Sequence, residues 1–215
     1  MTLNQIATRA GITYLMLIPL GIFGIIYVPE NLIVINDITQ TIDNINANEM
    51  LFRGSILSAL TVQLFNIVLV ILLYKLFKHV NKTMAAIMVI FSILAVPIAF
   101  LNEINHLIVL NLLDTKTEYQ HLIEMFLDLH HQGIIIAQVF WGLWLFPLGY
   151  LIYKSNMIPK FIGVLLMIGC LGYVIDSITL ILFPNLSFTF SEFTFLGEVI
   201  LPLWLLIKGI KNNSK

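Results

Sequence analysis

Residues 52–74 read FRGSILSALTVQLFNIVLVILLY, and this stretch decides the fold class. Between Arg53 and Lys75 it has no charged side chain, so about 20 consecutive residues are uncharged and mostly apolar. A helix of that length spans about 30 Å, which is the thickness of the hydrocarbon core of a bilayer. The stretch is therefore predicted to be a transmembrane helix.

Five further stretches have the same character, which gives six predicted spans at residues 8–28, 52–74, 84–107, 128–152, 161–183 and 193–208. Apolar residues make up 59% of the chain and charged residues 11%, and the mean hydropathy is +0.96. A soluble domain carries about 25% charged residues. We therefore expect an all-α integral membrane bundle of six helices, forming a single domain over residues 1–215 with the lipid bilayer as its surroundings.

The charges of the connections predict the orientation. Of the 11 lysines and arginines, all but Arg53 and Lys116 lie at the N-terminus, in the second and fourth connections or in the tail. The 12 acidic residues all lie in or beside the first, third and fifth connections. Because cytoplasmic loops are basic, both termini are predicted to be cytoplasmic, in the cytoplasmic membrane of a bacterium. The positions of the basic residues are explained by the orientation of the protein in the membrane, so nucleic acid is not an expected partner.

The first outer connection is predicted to contain a short amphipathic helix. Asp37 followed by Gln40 resembles a helix N-cap with its capping partner. Ile38, Ile42 and Ile45 then recur at helical spacing among polar residues. This helix is expected to lie on the outer surface and to cover the ends of the bundle.

Ionisable residues within the apolar stretches are the main functional signal, because charge inside a bilayer is costly. Counted along the predicted helices, they gather in the outer third of the bundle. This clustering favours a polar, outward-facing pocket that binds or passes a small ligand or a proton. The candidates for this pocket, or for ion pairs within it, are Arg53, Asp128, His130, Asp176 and Glu198.

Helical spacing indicates an alternative, a metal site. An acid-x-x-His pair occurs on each of two predicted helices, and two other helices each add one carboxylate. This is the ligand pattern of di-metal four-helix bundles, and its candidate ligands are Glu103, His106, Asp128, His131, Asp176 and Glu198. Iron, manganese or zinc would suit these ligands and would make the protein a metal-dependent hydrolase or oxidoreductase. The sequence itself requires no cofactor.

The same residues have structural interpretations. Asp128 is expected to cap the N-terminus of its helix. Arg53 is expected to pair with Glu49 or Asp128, and the deeply placed Asp176 needs a hydrogen-bond donor nearby. On this interpretation the protein is a structural or partner subunit of a membrane complex.

Four segments resemble the bacterial membrane-protein family catalogued as domain of unknown function 4386. They are NEMLFRGSILSALTVQLFNIVLVILLYKLFKHVNKTMA from Asn48, LDLHHQG from Leu127, LGYLIYKSNMIPKFIGVLL from Leu148 and GYVIDS from Gly172. The resemblance implies an integral membrane protein of six or seven helices and implies no known activity.

The resemblance also bears on the choice of histidine. In the family pattern the histidine follows the acid by two residues, which corresponds to His130 and not to His131. Arg53, Asp128, His130 and Asp176 are the positions to which the resemblance and the charge argument both point. They are expected to form a charge-paired cluster under the outer surface.

Overall fold

The computed structural model describes residues 1–113, 119–183 and 188–210, and these residues contain helices and no β-strand. The predicted all-α fold is confirmed. A π-helical segment, Ile22–Tyr27, joins the first two helices. Five charged residues used in the orientation argument lie outside the described residues: Asp114, Lys116, Glu118, Lys211 and Lys215. The helices are α1 Leu3–Gly21, α2 Val28–Leu32, α3 Ile38–Ala47, α4 Glu49–Phe77, α5 Lys82–Leu112, α6 Gln120–Leu143, α7 Leu145–Ser155, α8 Lys160–Leu182, α9 Ser191–Thr194 and α10 Leu196–Ile207.

Five helical stretches within the described residues are long and apolar enough to cross a membrane: Leu3–Leu32, Glu49–Phe77, Lys82–Leu112, Gln120–Ser155 and Lys160–Leu182. They correspond to the first five predicted spans. The sixth predicted span falls on α9 and α10. Because α10 has 12 residues and is therefore about 18 Å long, it is shorter than the hydrocarbon core.

The fourth membrane stretch is interrupted near its middle, where α6 ends at Leu143 and α7 begins at Leu145. Pro147 explains the break. It has no backbone N–H, and its ring clashes with the carbonyl four residues earlier, which belongs to Leu143.

The helices pack in chain order, and the last closes on the first. Contacts join α1 to α4, α4 to α5, α5 to α6, both α6 and α7 to α8, α8 to α10, and α10 to α1. We call the end of the bundle at which α1 begins the basic end, and the opposite end, where α3 lies, the acidic end. At or beside the helix termini of the basic end lie Arg9, Lys75, Lys78, Lys82, Lys154, Lys160 and Lys208.

Two apolar cores stabilise the bundle, one toward each end. The core of the basic end includes Leu73, Met88 and Leu151. The core of the acidic end includes Phe52, Val109, Ile123 and other residues around them. Between the two cores, α4, α5 and α6 carry buried polar side chains among buried apolar ones. We call these polar side chains the polar band: Ser58, Gln63, Asn66, Ser92, Asn102, Glu103, His106 and His130.

Part of this polar band joins helices by hydrogen bonds. Asn66 of α4 donates to the Ser92 hydroxyl of α5 at 2.9 Å, and that hydroxyl donates back to Asn66 Oδ1 at 3.2 Å. Helix–helix bonds of this kind contribute about 0.6 kcal/mol each in membrane proteins. Stabilisation of the contact between α4 and α5 is therefore a sufficient explanation for the Asn66–Ser92 hydrogen bonds.

The amphipathic helix of the first connection is present as α3. The Asp37 carboxylate accepts a hydrogen bond from the Gln40 N–H at 2.9 Å, as an N-cap does. Ile45 is buried in the core of the acidic end, and the Thr41 hydroxyl binds the backbone of Val34. Because α3 contacts both α4 and α6, it covers the acidic end of the bundle.

Candidate functional site

The polar band contains one compact group of ionisable side chains, and α5 supplies two of them. Glu103 and His106 are three residues apart, so both project from one face of the helix. That face points into the bundle, where Glu103 is 7% exposed and His106 is 2% exposed. A buried carboxylate needs a positive or hydrogen-bonding partner, because burying an unpaired charge is costly.

The partner comes from α6. His130 is buried, and its Nε2 lies 3.1 Å from Glu103 Oε1. On the other side of the carboxylate, His106 Nδ1 lies 3.6 Å from Glu103 Oε2. Each of the three side chains has one potential metal-ligand atom, a ring nitrogen or a carboxylate oxygen, and these three atoms lie within 4.8 Å of one another. We call Glu103, His106 and His130 the His–Glu cluster.

His106 is the member of the cluster whose hydrogen bonding is incomplete. Both of its ring nitrogens are buried: Nδ1 has only the 3.6 Å contact with Glu103 Oε2, which is longer than a hydrogen bond, and Nε2 has no hydrogen-bond partner among the described residues. The ring stacks on that of His130, with centroids 3.4 Å apart, and its other neighbour is the Phe52 ring at 4.8 Å. Since buried polar atoms are nearly always satisfied, His106 is the member of the cluster that is open to a further partner, such as a water molecule or an ion.

A second layer of contacts holds α6 against α5 at this height. The Asn102 amide donates to the backbone carbonyl of His130 at 2.8 Å, and Asn105 donates to Asn102 Oδ1 at 3.1 Å. Gly133, one turn from His130, leaves the space that the Asn102 side chain fills, since a Cβ there would overlap the Asn102 amide. Asn102 therefore fixes the position of His130 relative to Glu103.

A small cavity lies beside the cluster, with a volume of about 20 Å³. It has room for about one water molecule and is far smaller than a typical small-molecule pocket of about 300–1,000 Å³. Gln63 Oε1, which is buried without a partner, belongs to its lining. The other lining residues include Gly24, Ile25, Asn102, Glu103, His130 and Trp141.

Gly24 belongs to the π-helical segment and allows α1 to approach α4 closely. A Cβ on Gly24 would lie 3.0 Å from the carbonyl oxygen of Ser55. Segments of π-helix occur often at functional sites. Here the segment forms one wall of the cavity next to the His–Glu cluster.

Glu103, His106 and His130 are side chains that could hold a divalent metal ion, since one ligand atom from each lies within 4.8 Å of the others. Because the two imidazole rings are stacked, with their centroids 3.4 Å apart, one ring would have to turn before both faced the same ion. Two bonds of about 2.1 Å at a tetrahedral angle separate ligand atoms by about 3.4 Å. The contacts of Glu103 with His130, at 3.1 Å, and with His106, at 3.6 Å, lie on either side of that value. Two imidazoles and one carboxylate suit zinc, iron and manganese.

Other residues predicted for the site lie outside the cluster. Arg53 pairs with Glu49 at 2.6 Å, one of the two predicted partners, and both side chains are about half exposed. Asp128 and His131 share a face of α6, as predicted, but that face is exposed. Asp128 and His131 therefore do not join Glu103 and His106 in the structure, and the symmetrical arrangement of two acid-x-x-His ligand pairs stays a prediction. The expectation that Asp128 caps its helix is wrong, because α6 begins at Gln120.

Asp176 has a structural partner. It is fully buried, and its two carboxylate oxygens accept hydrogen bonds from the backbone N–H groups of Phe190, at 2.6 Å, and Ser191, at 2.8 Å. These backbone groups are the hydrogen-bond donors that Asp176 was predicted to need. Through them Asp176 holds the segment that leads into α9 against α8. Asp176 does not contribute to the His–Glu cluster.

Glu198 lies in separate surroundings. Its Oε2 accepts a hydrogen bond from the Tyr14 hydroxyl at 3.2 Å. Tyr14 is 11 residues from the start of α1 and so about 16 Å from the basic end, whereas Glu103 is about 31 Å along α5 from the same end. The single layer of charge expected from the sequence is therefore divided between different depths.

Some residues of the site were missed by sequence reasoning. Asn102 precedes Glu103 and Gly133 ends the segment LDLHHQG, but neither was assigned a role in the site, and Tyr14 appears in the sequence as one aromatic residue within an apolar stretch. The helical spacing of Glu103 and His106 identified one side of the cluster. The family resemblance, not the spacing, pointed to the buried histidine, His130.

Comparison with known proteins is consistent with this fold. The chain matches the family described as Domain of unknown function (DUF4386) over residues 9–209, a range that includes the whole His–Glu cluster. It is 30% identical over 159 residues to an uncharacterized protein of the archaeon Archaeoglobus fulgidus, which covers 73% of this chain and 85% of that protein. No solved structure matches significantly. The protein belongs to the DUF4386 family, as the resemblance in the sequence predicted.

Proposed function

We propose that this protein is a metal-dependent enzyme of the plasma membrane whose His–Glu cluster holds one divalent transition-metal ion near the outer face. The observation that carries the proposal is the buried convergence of Glu103, His106 and His130, with both ring nitrogens of His106 lacking a hydrogen-bond partner among the described residues. A protein that needed the cluster only for packing would satisfy those nitrogens.

We further propose six spans with the basic end in the cytoplasm. The charge distribution supports this orientation, since cytoplasmic connections are basic. For the sixth span, α10 packs against both α1 and α8 and so occupies the remaining place in the bundle. Both termini then lie inside, the chain forms one domain, and the His–Glu cluster lies toward the external side.

The proposed chemistry follows from the number of protein ligands. Three side chains leave a coordination position open, which is the arrangement of catalytic and not of structural metal sites. A metal ion bound there would supply an activated water, whose pKa falls to about 7 on zinc. The adjacent cavity has the size of one water molecule, which suits this role.

The protein side chains have distinct roles in this proposal. His106 and His130 bind as neutral imidazoles, and Glu103 supplies the negative charge that offsets part of the metal charge. Asn102 positions His130 through the His130 carbonyl. Gln63, with its free Oε1 in the cavity wall, accepts a hydrogen bond from the water.

The proposed substrate is a lipid-like molecule of the outer leaflet, and because the cavity holds about one water molecule, the surrounding helices would have to separate to admit it. The cavity wall includes Ile25, Ile134 and Trp141, and the cluster is placed within the bundle and not in an external domain. Hydrolysis of an ester-type bond is the reaction that an activated water supports most directly. Two histidines and one carboxylate are also the ligands of non-haem iron oxygenases, so oxidation of the same substrate class is the alternative chemistry.

A second candidate function is binding or passing of a proton or another small ligand without a metal. It is favoured by the sequence of contacts from His130 to Glu103, at 3.1 Å, and from Glu103 to His106, at 3.6 Å, because histidine and carboxylate groups form proton relays in membrane proteins. Of the pocket residues predicted from the sequence, only His130 takes part in these contacts.

The test is elemental analysis of protein purified in mild detergent, without chelator and without a metal-affinity tag. We expect about one equivalent of zinc, iron or manganese, as three ligands and one open position imply. His130→Gln and Glu103→Gln should lose it. His131→Gln is the matched control, because this histidine is the exposed neighbour of His130 on the same helix, and it should keep the metal.

Two results would overturn the metal proposal. One is wild-type protein without metal above background that also shows no rise in melting temperature when metal is added. Binding at 100 times the Kd would raise the free energy of unfolding by about 2.7 kcal/mol, which a melting experiment detects. The other is equal loss of metal from His131→Gln and His130→Gln. If metal is found as expected, the metal-loaded protein is assayed with ester-containing lipids.

A further inference from the structure

Glu198 is a further carboxylate within the bundle, half-buried as a residue, that the His–Glu cluster does not use. It is the third residue of α10, which packs between α1 and α8. Its Oε2 accepts the hydrogen bond of Tyr14, whereas Oε1 is buried and has no hydrogen-bond partner. A carboxylate oxygen in this position is costly unless it carries a proton or meets a cation.

No cation of the described chain meets it. Among the described residues, the ion pairs join Arg53 to Glu49 and histidines to Glu103 and Glu124, and none includes Glu198. The groups that face it are both phenols, Tyr14 from α1 and Tyr173 from α8.

The other nearby polar groups do not supply a counter-charge. Asp176, one helical turn beyond Tyr173 on α8, is acidic and is already bound to the backbone of Phe190 and Ser191. Thr194, one turn before Glu198, has a buried hydroxyl oxygen without a partner. The Trp144 ring contacts Tyr14 at a centroid distance of 5.8 Å and adds apolar surface.

We propose that Glu198 is a proton-binding site in the basic half of the bundle, with its Oε1 carrying the proton and Tyr14 holding Oε2. Proton uptake forms an O–H bond on Oε1, and the proton comes from a water molecule or hydronium ion. Release returns the proton to water and leaves a carboxylate that the two phenols stabilise. The site is independent of the metal centre, since the two lie about 15 Å apart along the bundle.

This arrangement accounts for features that packing alone leaves unexplained. A neutral carboxylic acid needs no cation, which fits the surroundings of Glu198. Its hydroxyl is a donor that can reach an orphaned acceptor such as the Thr194 oxygen, directly or through one water molecule. Tyrosine hydroxyls both donate and accept, so Tyr14 adapts to either protonation state.

The test uses dicyclohexylcarbodiimide, a lipid-soluble reagent that modifies protonated carboxyl groups in apolar surroundings. Wild-type protein is treated over a series of pH values, and the modified peptides are mapped by mass spectrometry. We expect an adduct on Glu198 whose yield decreases as pH rises. Asp176 should stay unmodified, because its carboxylate is occupied by two N–H donors. Glu198→Gln should remove the adduct.

Tyr14→Phe separates proton binding from a structural role. It removes the hydroxyl that stabilises the ionised carboxylate, so the pH at which labelling falls to half should rise by about one unit. Infrared spectroscopy of the wild type provides a second measurement, the carbonyl band of a protonated carboxyl group. Absence of both the Glu198 adduct and this band would overturn the proposal, as would labelling that does not change with pH. None of these measurements depends on bound metal.

Discussion

The carboxylates of Asp176 and Glu103 are both buried in the bundle, and their partners differ in kind. Asp176 accepts hydrogen bonds from two backbone N–H groups, those of Phe190 and Ser191, so it is bound to a segment of its own chain. Glu103 instead lies between two imidazole rings that can bind a proton or a metal ion.

This difference shows how a buried charge can be assigned a role. When both oxygens of a carboxylate accept hydrogen bonds from fixed backbone donors, the charge stabilises structure, as it does at a helix N-terminus. When the partners are titratable and one of them has unsatisfied atoms, as His106 has, the arrangement supports the proposal that an external group binds there. Burial alone does not distinguish the two cases.

The largest expected effects come from one substitution at each of these two carboxylates, because the two variants should have opposite phenotypes. Asp176→Ala leaves two N–H groups without their acceptor and should lower the free energy of unfolding by about 3 kcal/mol while metal content stays unchanged. Glu103→Gln should abolish metal binding and, in metal-free protein, change stability by only about 1 kcal/mol. Thermal unfolding in detergent and elemental analysis check both variants.

Asp128→Ala is the control for this pair, because the Asp128 side chain is exposed, and it should change neither quantity measurably. If Asp176→Ala lost the metal while remaining folded, Asp176 would belong to the functional site and the comparison would fail.

A smaller effect should follow from disturbing the contact that positions His130. Gly133→Ala places a methyl group where the Asn102 amide lies, so we expect a loss of about 1–3 kcal/mol in stability and a decrease of about tenfold in metal affinity. Gly21→Ala is the matched control. It makes the same change on a helix, and a Cβ there would meet no atom within 4 Å.

Because both substitutions gain the same helix propensity, the difference between them measures the displacement of Asn102. Calorimetric metal titration and thermal unfolding would give the two quantities. Equal behaviour of Gly133→Ala and Gly21→Ala would show that Asn102 does not position His130.

The smallest effect should come from Arg53, whose pair with Glu49 is about half exposed. Arg53→Ala should cost about 0.5 kcal/mol, and the coupling in a double-mutant cycle with Glu49→Ala should decrease as salt is added. A loss of several kcal/mol would instead place Arg53 beside a buried carboxylate and would restore the charge-paired cluster expected from the sequence.

Much of the site could be predicted from local spacing. Glu103 and His106 lie on one face because residues three apart on a helix are neighbours, and the structure places that face inward. The same rule grouped Asp128 with His131, and they do share a face, but it is the exposed one. Spacing predicts which residues share a face and does not predict where that face points.

The sixth helical element shows a similar limit. Its apolar composition extends over residues 193–208, and hydropathy does not register the turn that separates α9 from α10. The depth of Glu198 could not be obtained by counting from the predicted helix end, because its position depends on how α10 packs against Tyr14 of α1.

The all-α fold, the helices suited to a membrane and the asymmetric charge follow from composition and local periodicity, which each segment carries alone, and the family follows from quoted sequence segments. The contacts of Glu103 with His130, of Asp176 with the segment before α9 and of Glu198 with Tyr14 are known only from the packed helices. These pairs join residues 14 to 184 positions apart. Their formation depends on the rotation and depth of each helix, which the packing of the whole bundle sets.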